Sequence, residues 1–150
     1  MSMKIAVACD HAGFPLKAIV LDELTRLGVE ALDLGVDNPS AVDFPDYAER
    51  LGRALQTGQA ERGILLCGSG VGMAIAANKM TGVRASVTHD TYAAHQGVEH
   101  DSMNVMCLGS RVIGTEVARE LVRAFVHASF QQEERFIRRL TKINRLEEAK

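Results

Sequence analysis

Five segments of the chain carry side chains that could do chemistry, and each follows an apolar run or lies in the loop after one. They are Cys9-Asp10-His11, Asp43-Phe44, Cys67-Gly68-Ser69, His89-Asp90 and Gly109-Ser110-Arg111. Carboxylates and imidazoles transfer protons, a cysteine thiolate can act as a nucleophile or a general base, and arginine binds anions. These segments are therefore the candidates for an active site, although the His89-Asp90 pair could equally cap the helix predicted after it.

The segment from Cys67 to Gly72 is rich in glycine and lies between an apolar run and a helical pattern. Glycines at such a place let backbone N–H groups converge on an anion, aided by the N-terminus of the helix. A Walker loop, a dinucleotide-binding fingerprint and the common cysteine-phosphatase loop each need glycine or arginine where this chain has Met73. The segment therefore predicts an anion-binding loop that does not serve nucleotides, and a plain tight turn is the alternative.

Cys67 is the last residue of its apolar run and precedes the predicted helix. The dipole of a helix and its free N–H groups favour negative charge on a thiol at the N-terminus. Location thus makes Cys67 a candidate base or nucleophile. The alternative is a small buried hydrophobic side chain, which is our interpretation of Cys9 and Cys107.

Apolar runs and helical patterns alternate along the chain. Strands are predicted over residues 4–8, 29–34, 64–66, 83–87 and 104–108, and helices over 14–27, 45–58, 73–80, 91–98, 115–130 and 131–150. This alternation is typical of a parallel sheet covered on both faces, so we expect a three-layer, Rossmann-like α/β sandwich with five strands. Ligands of such sheets bind beyond the carboxyl ends of the strands, where the five candidate segments fall.

Length and composition narrow the class of protein. The 150 residues suit one domain covering the whole chain, and 47% hydrophobic with 24% charged residues is typical of a globular protein. A net charge of −2 argues against a nucleic-acid partner. No apolar run approaches the roughly 18 residues of a membrane span, and the first residues lack the features of a signal peptide. Three cysteines without metal-ligand spacing favour a reducing, cytoplasmic location, with no metal or other cofactor.

Four blocks of the sequence, taken in order and spacing, carry a resemblance to a known family. The blocks are Ala8–Gly13, Asp43–Ala48, Gly63–Gly72 with Ala76–Lys79, and Asn104-Val105 leading to Gly109–Gly114. They resemble type B ribose-5-phosphate isomerases, a family that includes the galactose-6-phosphate isomerase subunits. The resemblance spans about Lys4 to Arg139, and its most specific part is the glycine block followed by Ala-Ala-Asn-Lys.

The resemblance implies a metal-free aldose–ketose isomerase that works through a cis-enediolate. It gives Cys67 the role of the base that moves a proton between C1 and C2, and Ser69 that of a hydroxyl assisting at the sugar oxygens. His100 corresponds to the histidine that opens the furanose ring, and Asp10 to a carboxylate at the ring oxygen or its neighbouring hydroxyl. One branch of the family uses a glutamate where this chain has Met73, so the resemblance is to the cysteine branch.

The resemblance also implies how a sugar phosphate is bound. The enediolate is held by the backbone N–H groups of Gly68, Gly70, Val71 and Gly72, and the phosphate by His11, Arg111, Arg135 and Arg139. Arg135 and Arg139 lie four residues apart on the last helix, beside an apolar stripe. In the family this helix reaches a partner subunit, which implies a homodimer or homotetramer with shared sites. From the residues alone, a solvated basic face is the alternative interpretation of the two arginines.

Two positions depart from the family pattern. Asp101 follows His100 where the family commonly has asparagine, and a carboxylate there would repel an enediolate unless it is protonated or turned away. Phe44 stands where some members have tyrosine. Both departures leave open a six-carbon or four-carbon sugar phosphate as the substrate. A non-catalytic sugar-phosphate-binding module and a thiol redox protein are the other hypotheses. The presence of Cys67, His100 and Asp10 together disfavours the binding module. The lack of a resolving cysteine two residues from Cys67 disfavours the redox protein.

Overall fold

A computed structural model describes residues 3–149 of the chain. The strands are β1 (Lys4–Cys9), β2 (Glu30–Asp33), β3 (Arg62–Cys67), β4 (Ala85–Val87) and β5 (Val105–Gly109). The helices are α1 (Phe14–Arg26), α2 (Phe44–Gln56), α3 (Val71–Ala77), α4 (Thr91–Asp101), α5 (Thr115–His127) and α6 (Glu134–Glu148). No helix within residues 3–149 is long and apolar enough to cross a membrane.

The five strands form one parallel sheet in the order β2-β1-β3-β5-β4. Each parallel connection must return from the carboxyl edge of the sheet to the amino edge, and a helix makes the return. Helices α1, α4 and α5 cover one face, and α2 and α3 cover the other. This arrangement confirms the predicted Rossmann-like sandwich.

The two faces of the sheet carry side chains of different size. In β1, Ile5 and Val7 point to the face of α1 and α5, whereas Ala6 and Ala8 point to the face of α2 and α3. Alternation along a strand sends successive side chains to opposite faces. The small alanines let α2 and α3 pack close to the sheet, which brings the start of α3 against the carboxyl ends of the strands.

Most helix boundaries differ from the predicted ones by one to three residues, and three of the differences have a visible cause or bear on the site. Helix α3 begins at Val71 rather than at residue 73, because Gly70 already caps it with a φ of 82°. Helix α4 continues to Asp101, so it includes residues 99–101 that were predicted to follow it. Helix α5 ends at His127 rather than at residue 130. The Arg62 guanidinium donates hydrogen bonds to the carbonyls of Phe125 and Ala128, at 2.6 and 2.7 Å, and so satisfies backbone acceptors at this end of the helix. The Arg62 contacts join residues that are 63 and 66 positions apart in the sequence, so no local pattern could have predicted where α5 ends.

A charged cluster joins α1 to α5 across the same face. Arg119 donates to Asp22 at 2.7 Å and to Glu23 at 2.9 Å, and Arg123 donates to the second oxygen of Glu23 at 3.0 Å. Glu23 is only 3% exposed. Burial by itself disfavours the carboxylate, but the hydrogen bonds from Arg119 and Arg123 outweigh it and hold the pKa of Glu23 below its usual value. The two hydrogen bonds to Glu23 therefore contribute most to joining the helices while Glu23 is ionised.

Candidate active site

Asp10 and Cys67 meet at the point where the order of the sheet reverses. Strand β2 lies on one side of β1 and β3 on the other, and a crevice at such a point is the usual ligand site of an open α/β sheet. Cys67 is the last residue of β3, and the N–H of Asp10, just after β1, donates to the carbonyl of Leu66 at 3.2 Å. Both residues are 6% exposed. The structure thus brings together the predicted base and the predicted carboxylate.

Residues 67–72, which we call the anion loop, fold around the sulfur of Cys67. The N–H of Gly70 donates to Sγ at 3.0 Å, and the exposed Ser69 accepts the N–H of Val71 on its own Oγ at 3.2 Å. A charged sulfur is a better acceptor of an N–H than a thiol, so this contact suits a thiolate. The Ser69 hydroxyl remains able to donate its proton outward.

The other two cysteines are core residues, as predicted. Burial raises the pKa of the Cys9 thiol, and burial raises that of Cys107 further still. Both thiols therefore stay protonated at neutral pH and pack as small apolar side chains. Cys67 differs from both in that its sulfur lies inside the anion loop, where it accepts the N–H of Gly70.

Hydrogen bonds orient the two polar side chains that follow β1. Oδ1 of Asp10 accepts the N–H of Gly13 at 2.9 Å. Nδ1 of His11 accepts the N–H of Val42 at 3.2 Å. Since Nδ1 is the acceptor, the remaining ring donor of His11 is Nε2–H. His11 can therefore offer an N–H to an anion at this edge of the sheet.

Arg111 stands beside the anion loop. Its backbone N–H donates to the carbonyl of Gly68 at 3.0 Å, and a Cβ built on Gly68 would lie 3.4 Å from its Nη1. The side chain is exposed. We call Asp10, His11, Arg111 and the anion loop the carboxyl-edge cluster, because every member lies where a strand of the sheet ends.

Phe44 closes one side of the same cluster. A Cβ built on Gly72 would lie 2.8 Å from the ring of Phe44, so the ring rests against the first turn of α3. The ring is partly exposed and has no hydroxyl. Any substrate lying over the anion loop meets an apolar wall on this side.

His100 and Asp101 lie at the opposite edge of the sheet. Helix α4 starts after β4 at the carboxyl edge and runs back for 11 residues, a length of about 16 Å. Just beyond its end, the N–H of Asn104 donates to the carbonyl of Arg84, which precedes β4. The last turn of α4 therefore sits at the amino edge, so one chain cannot place His100 beside its own Cys67.

Helix α6 carries two of the predicted site arginines, and its first turn packs against His100 at the amino edge of the sheet. The ring of His100 stacks on Phe136, and the guanidinium of Arg135 lies 4.6 Å from the Phe136 ring centre. Arg135 also pairs with Glu133 at 3.0 Å, and Arg139 is exposed one turn further along. We call His100, Asp101, Arg135 and Arg139 the amino-edge cluster. The structure thus divides the predicted site residues into two groups.

Asp101 belongs to the amino-edge cluster, with an exposed side chain. It lines a cavity of about 430 Å³ between α4, β4 and α6. This cavity lies away from Cys67, whose own surroundings are an open edge of the sheet. Neither edge by itself encloses a small molecule together with all of the predicted residues.

The role of the His89-Asp90 pair is open in the sequence, and the structure gives the two residues different roles. Asp90 caps α4, since its Oδ1 accepts the N–H of Ala93 at 2.6 Å. His89 turns the other way, and its Nε2 accepts the N–H of Gly109 at 2.9 Å. The only signal in the sequence was the position of the pair, directly after a strand.

The model of a family described as Ribose/Galactose Isomerase matches residues 5–143. The chain belongs to this family. It is 42% identical over 128 residues to ribose-5-phosphate isomerase B of Escherichia coli strain K12, covering 85% of this chain and 86% of that protein. It is 41% identical over 133 residues to the D-erythrulose-4-phosphate isomerase of Pectobacterium atrosepticum, covering 86% of each. The resemblance predicted from the sequence is confirmed.

The solved structure of a Trypanosoma brucei type B ribose 5-phosphate isomerase matches the fold of this ribose/galactose isomerase family member. The TM-score is 0.94 at 39% identity, covering 97% of this chain and 99% of that chain. Within residues 3–149, no group of three or more His, Cys, Asp or Glu side chains is arranged to hold a metal ion. The chemical groups at its carboxyl edge are a thiol, a carboxyl, a hydroxyl, an imidazole, a guanidinium and backbone N–H groups.

Proposed function

We propose that the protein interconverts ribose 5-phosphate and ribulose 5-phosphate through a cis-enediolate, in sites shared by two copies of the chain. The observation that carries the proposal is the sulfur of Cys67, which accepts the N–H of Gly70 at the point where the sheet order reverses. A base held in that way, beside Asp10 and a loop of N–H donors, suits proton abstraction next to a carbonyl.

Proton transfer begins on the open-chain aldose. The Cys67 thiolate removes the proton from C2, and the electron pair moves toward the C1 carbonyl to give the enediolate. The thiol then returns that proton to C1. The Ser69 hydroxyl assists the transfer of a second proton from the oxygen on C2 to the oxygen on C1, which gives the ketose. Backbone N–H groups of the anion loop hold the developing negative charge, as in an oxyanion hole.

The phosphate needs several cations because it carries a charge of about −1.5 to −2. One chain offers Nε2–H of His11 and the guanidinium of Arg111 at the carboxyl edge. Arg135 and Arg139 lie on α6, at the other edge. A second copy therefore has to supply them if all four groups bind one phosphate.

Ring opening supports the same shared site. His100 is the residue assigned to it, and the run of α4 toward the amino edge separates it from Cys67 of its own chain. A two-fold axis would bring each chain's amino-edge cluster to the partner's carboxyl-edge cluster, giving two equal sites in a homodimer or pairs of them in a homotetramer.

A four-carbon sugar phosphate is the second candidate substrate. One relative with 41% identity is a D-erythrulose-4-phosphate isomerase. In this chain the Phe44 ring against Gly72 offers no hydroxyl to a sugar, and Asp101 adds an exposed carboxylate beside His100. Both features reduce the donors available to a longer polyol chain.

Purified protein should be assayed with ribose 5-phosphate, allose 6-phosphate, galactose 6-phosphate and erythrulose 4-phosphate, beside Cys67→Ala. We expect the highest kcat/KM with ribose 5-phosphate, and a kcat lowered by about 100- to 10,000-fold in the variant. A higher value with erythrulose 4-phosphate would move the assignment to the second candidate. If the protein binds any of the four sugar phosphates tightly but turns over none of them, the assignment changes from an enzyme to a binding module.

A further inference from the structure

The imidazole of His89 extends the hydrogen-bond ladder between β4 and β5. The last backbone bond of that ladder runs from the N–H of Thr88 to the carbonyl of Cys107 at 3.1 Å. The next N–H of β5 on the same side belongs to Gly109, and β4 has already ended. Nε2 of His89 accepts that N–H at 2.9 Å, so the side chain takes the place of a strand residue.

Gly109 is in turn pressed against the anion loop. It lies opposite Cys67 in the register of β3 and β5. A Cβ on Gly109 would come within 2.7 Å of Cα and of the carbonyl carbon of Ser69, a separation that side chains do not tolerate. Movement of Gly109 would therefore move Ser69 or open a gap beside it.

The two residues after Gly109 hold the same loop. The N–H of Ser110 donates to the carbonyl of Cys67 at 2.9 Å, and the N–H of Arg111 to that of Gly68 at 3.0 Å. The hydroxyl of Ser110 donates to the carbonyl of Ala12, beside His11. The turn of residues 109–111 thus connects the sulfur-bearing strand, the anion loop and the Arg111 guanidinium.

We propose that His89 is a positioning residue: its uncharged imidazole holds Gly109, and through it the anion loop and Arg111, in the geometry that binds enediolate and phosphate. The proposal rests on the proposed function, because it concerns the same site. His89 is not needed to cap α4, since Asp90 does so.

The acceptor role requires a particular state of the ring. Because Nε2 accepts, the proton of the imidazole must be on Nδ1. Burial lowers the pKa of His89, which favours that uncharged form at neutral pH. A protonated ring would have no lone pair to offer to Gly109.

The test compares His89→Leu, which removes the acceptor, with His89→Gln, whose Oε1 can take the place of Nε2. His127→Leu and His127→Gln are matched controls, because His127 is exposed at the end of α5. We expect His89→Leu to speed amide hydrogen exchange in residues 68–70 and 109–111 and to lower kcat for ribose 5-phosphate by about 10- to 100-fold. His89→Gln should recover most of both losses, and the controls should change neither.

Three outcomes would overturn the proposal. In the first, His89→Leu keeps the kcat and the exchange rates of wild type. In the second, it lowers only the melting temperature. In the third, a folded His89→Gln loses as much activity as His89→Leu. If wild type turns over no sugar phosphate, the proposed function fails, whereas the exchange measurement still decides whether His89 fixes the anion loop.

Discussion

The ring of His100 stacks on the ring of Phe136 with centroids 4.2 Å apart and planes at 14°. The contact joins the last turn of α4 to the first turn of α6, and Phe136 is 3% exposed. Aromatic stacking of this kind orients a ring as well as burying it. The orientation of the predicted ring-opening histidine therefore depends on a residue that has no polar chemistry of its own.

The Phe136→Leu variant tests that dependence. Leucine keeps most of the apolar burial, so we expect a loss of about 1 kcal/mol in unfolding free energy. It cannot present a flat ring to His100, so we expect kcat to fall several-fold. Urea unfolding and steady-state assays measure the two effects, with the exposed Ile137→Leu as control. Full activity in Phe136→Leu would show that the stack does not matter for catalysis.

Replacement of Cys67 should remove the base and leave the fold. We expect Cys67→Ala to lower kcat by about 100- to 10,000-fold, the usual contribution of a general base, with an unchanged circular dichroism spectrum. Cys9→Ala is the control, since burial raises the pKa of that thiol and removes it from acid–base chemistry at neutral pH. Near-normal turnover by Cys67→Ala would refute the assigned mechanism.

Mixing two inactive variants tests whether the sites are shared. Cys67→Ala and His100→Ala should each be inactive. After unfolding and refolding together in equal amounts, half of the dimers are mixed, and each mixed dimer has one intact site if Cys67 and His100 come from different chains. We expect recovery of about a quarter of wild-type activity.

The matched control places both substitutions in one chain and mixes it with wild type. A mixed dimer of that kind has no intact site when the sites are shared, so activity should drop below the half contributed by wild-type chains. If this control keeps the full half of wild-type activity while the first mixture stays inactive, each chain builds its own site.

Stability should depend on pH through Glu23. Its pKa is lowered in the folded protein, so the ionised carboxylate stabilises the fold above the unfolded-state value of about 4.3. That contribution disappears as the pH falls through the lower folded-state pKa. We expect Glu23→Gln to lose about 1–3 kcal/mol at pH 7 and much less in acid, by urea unfolding. Glu120→Gln, on the exposed side of α5, should change little at either pH.

Activity should not depend on a metal ion. In the proposed mechanism, charge on the enediolate and the phosphate is balanced by backbone N–H groups of the anion loop and by guanidinium groups, which a chelator does not remove. We therefore expect the turnover of ribose 5-phosphate to be the same before and after treatment with EDTA and desalting. Loss of activity that magnesium, manganese or zinc restores would contradict this prediction.

The sequence by itself determined the sheet and the residues at its carboxyl edge. Apolar runs alternate with helical patterns, and parallel strands must all end at one edge. Asp10 and Cys67 each lie at the end of such a run, so the sequence places both at this edge, whereas the strand order that makes β1 and β3 neighbours is seen only in the structure. Arg111 and the anion loop are predictable at this edge for the same reason, because both come directly after strands.

Only the tertiary structure decided where the remaining residues lie. The helix α4 was predicted to end at residue 98, yet it extends to Asp101 and leaves His100 at the amino edge, stacked on Phe136. The acceptor role of His89 needs Gly109, which is 20 residues away. Contacts between residues distant in sequence leave no periodicity or spacing, since they depend on how helices and strand ends come together in space. The family resemblance named His100 and α6, but their separation from Cys67 is a property of the folded chain.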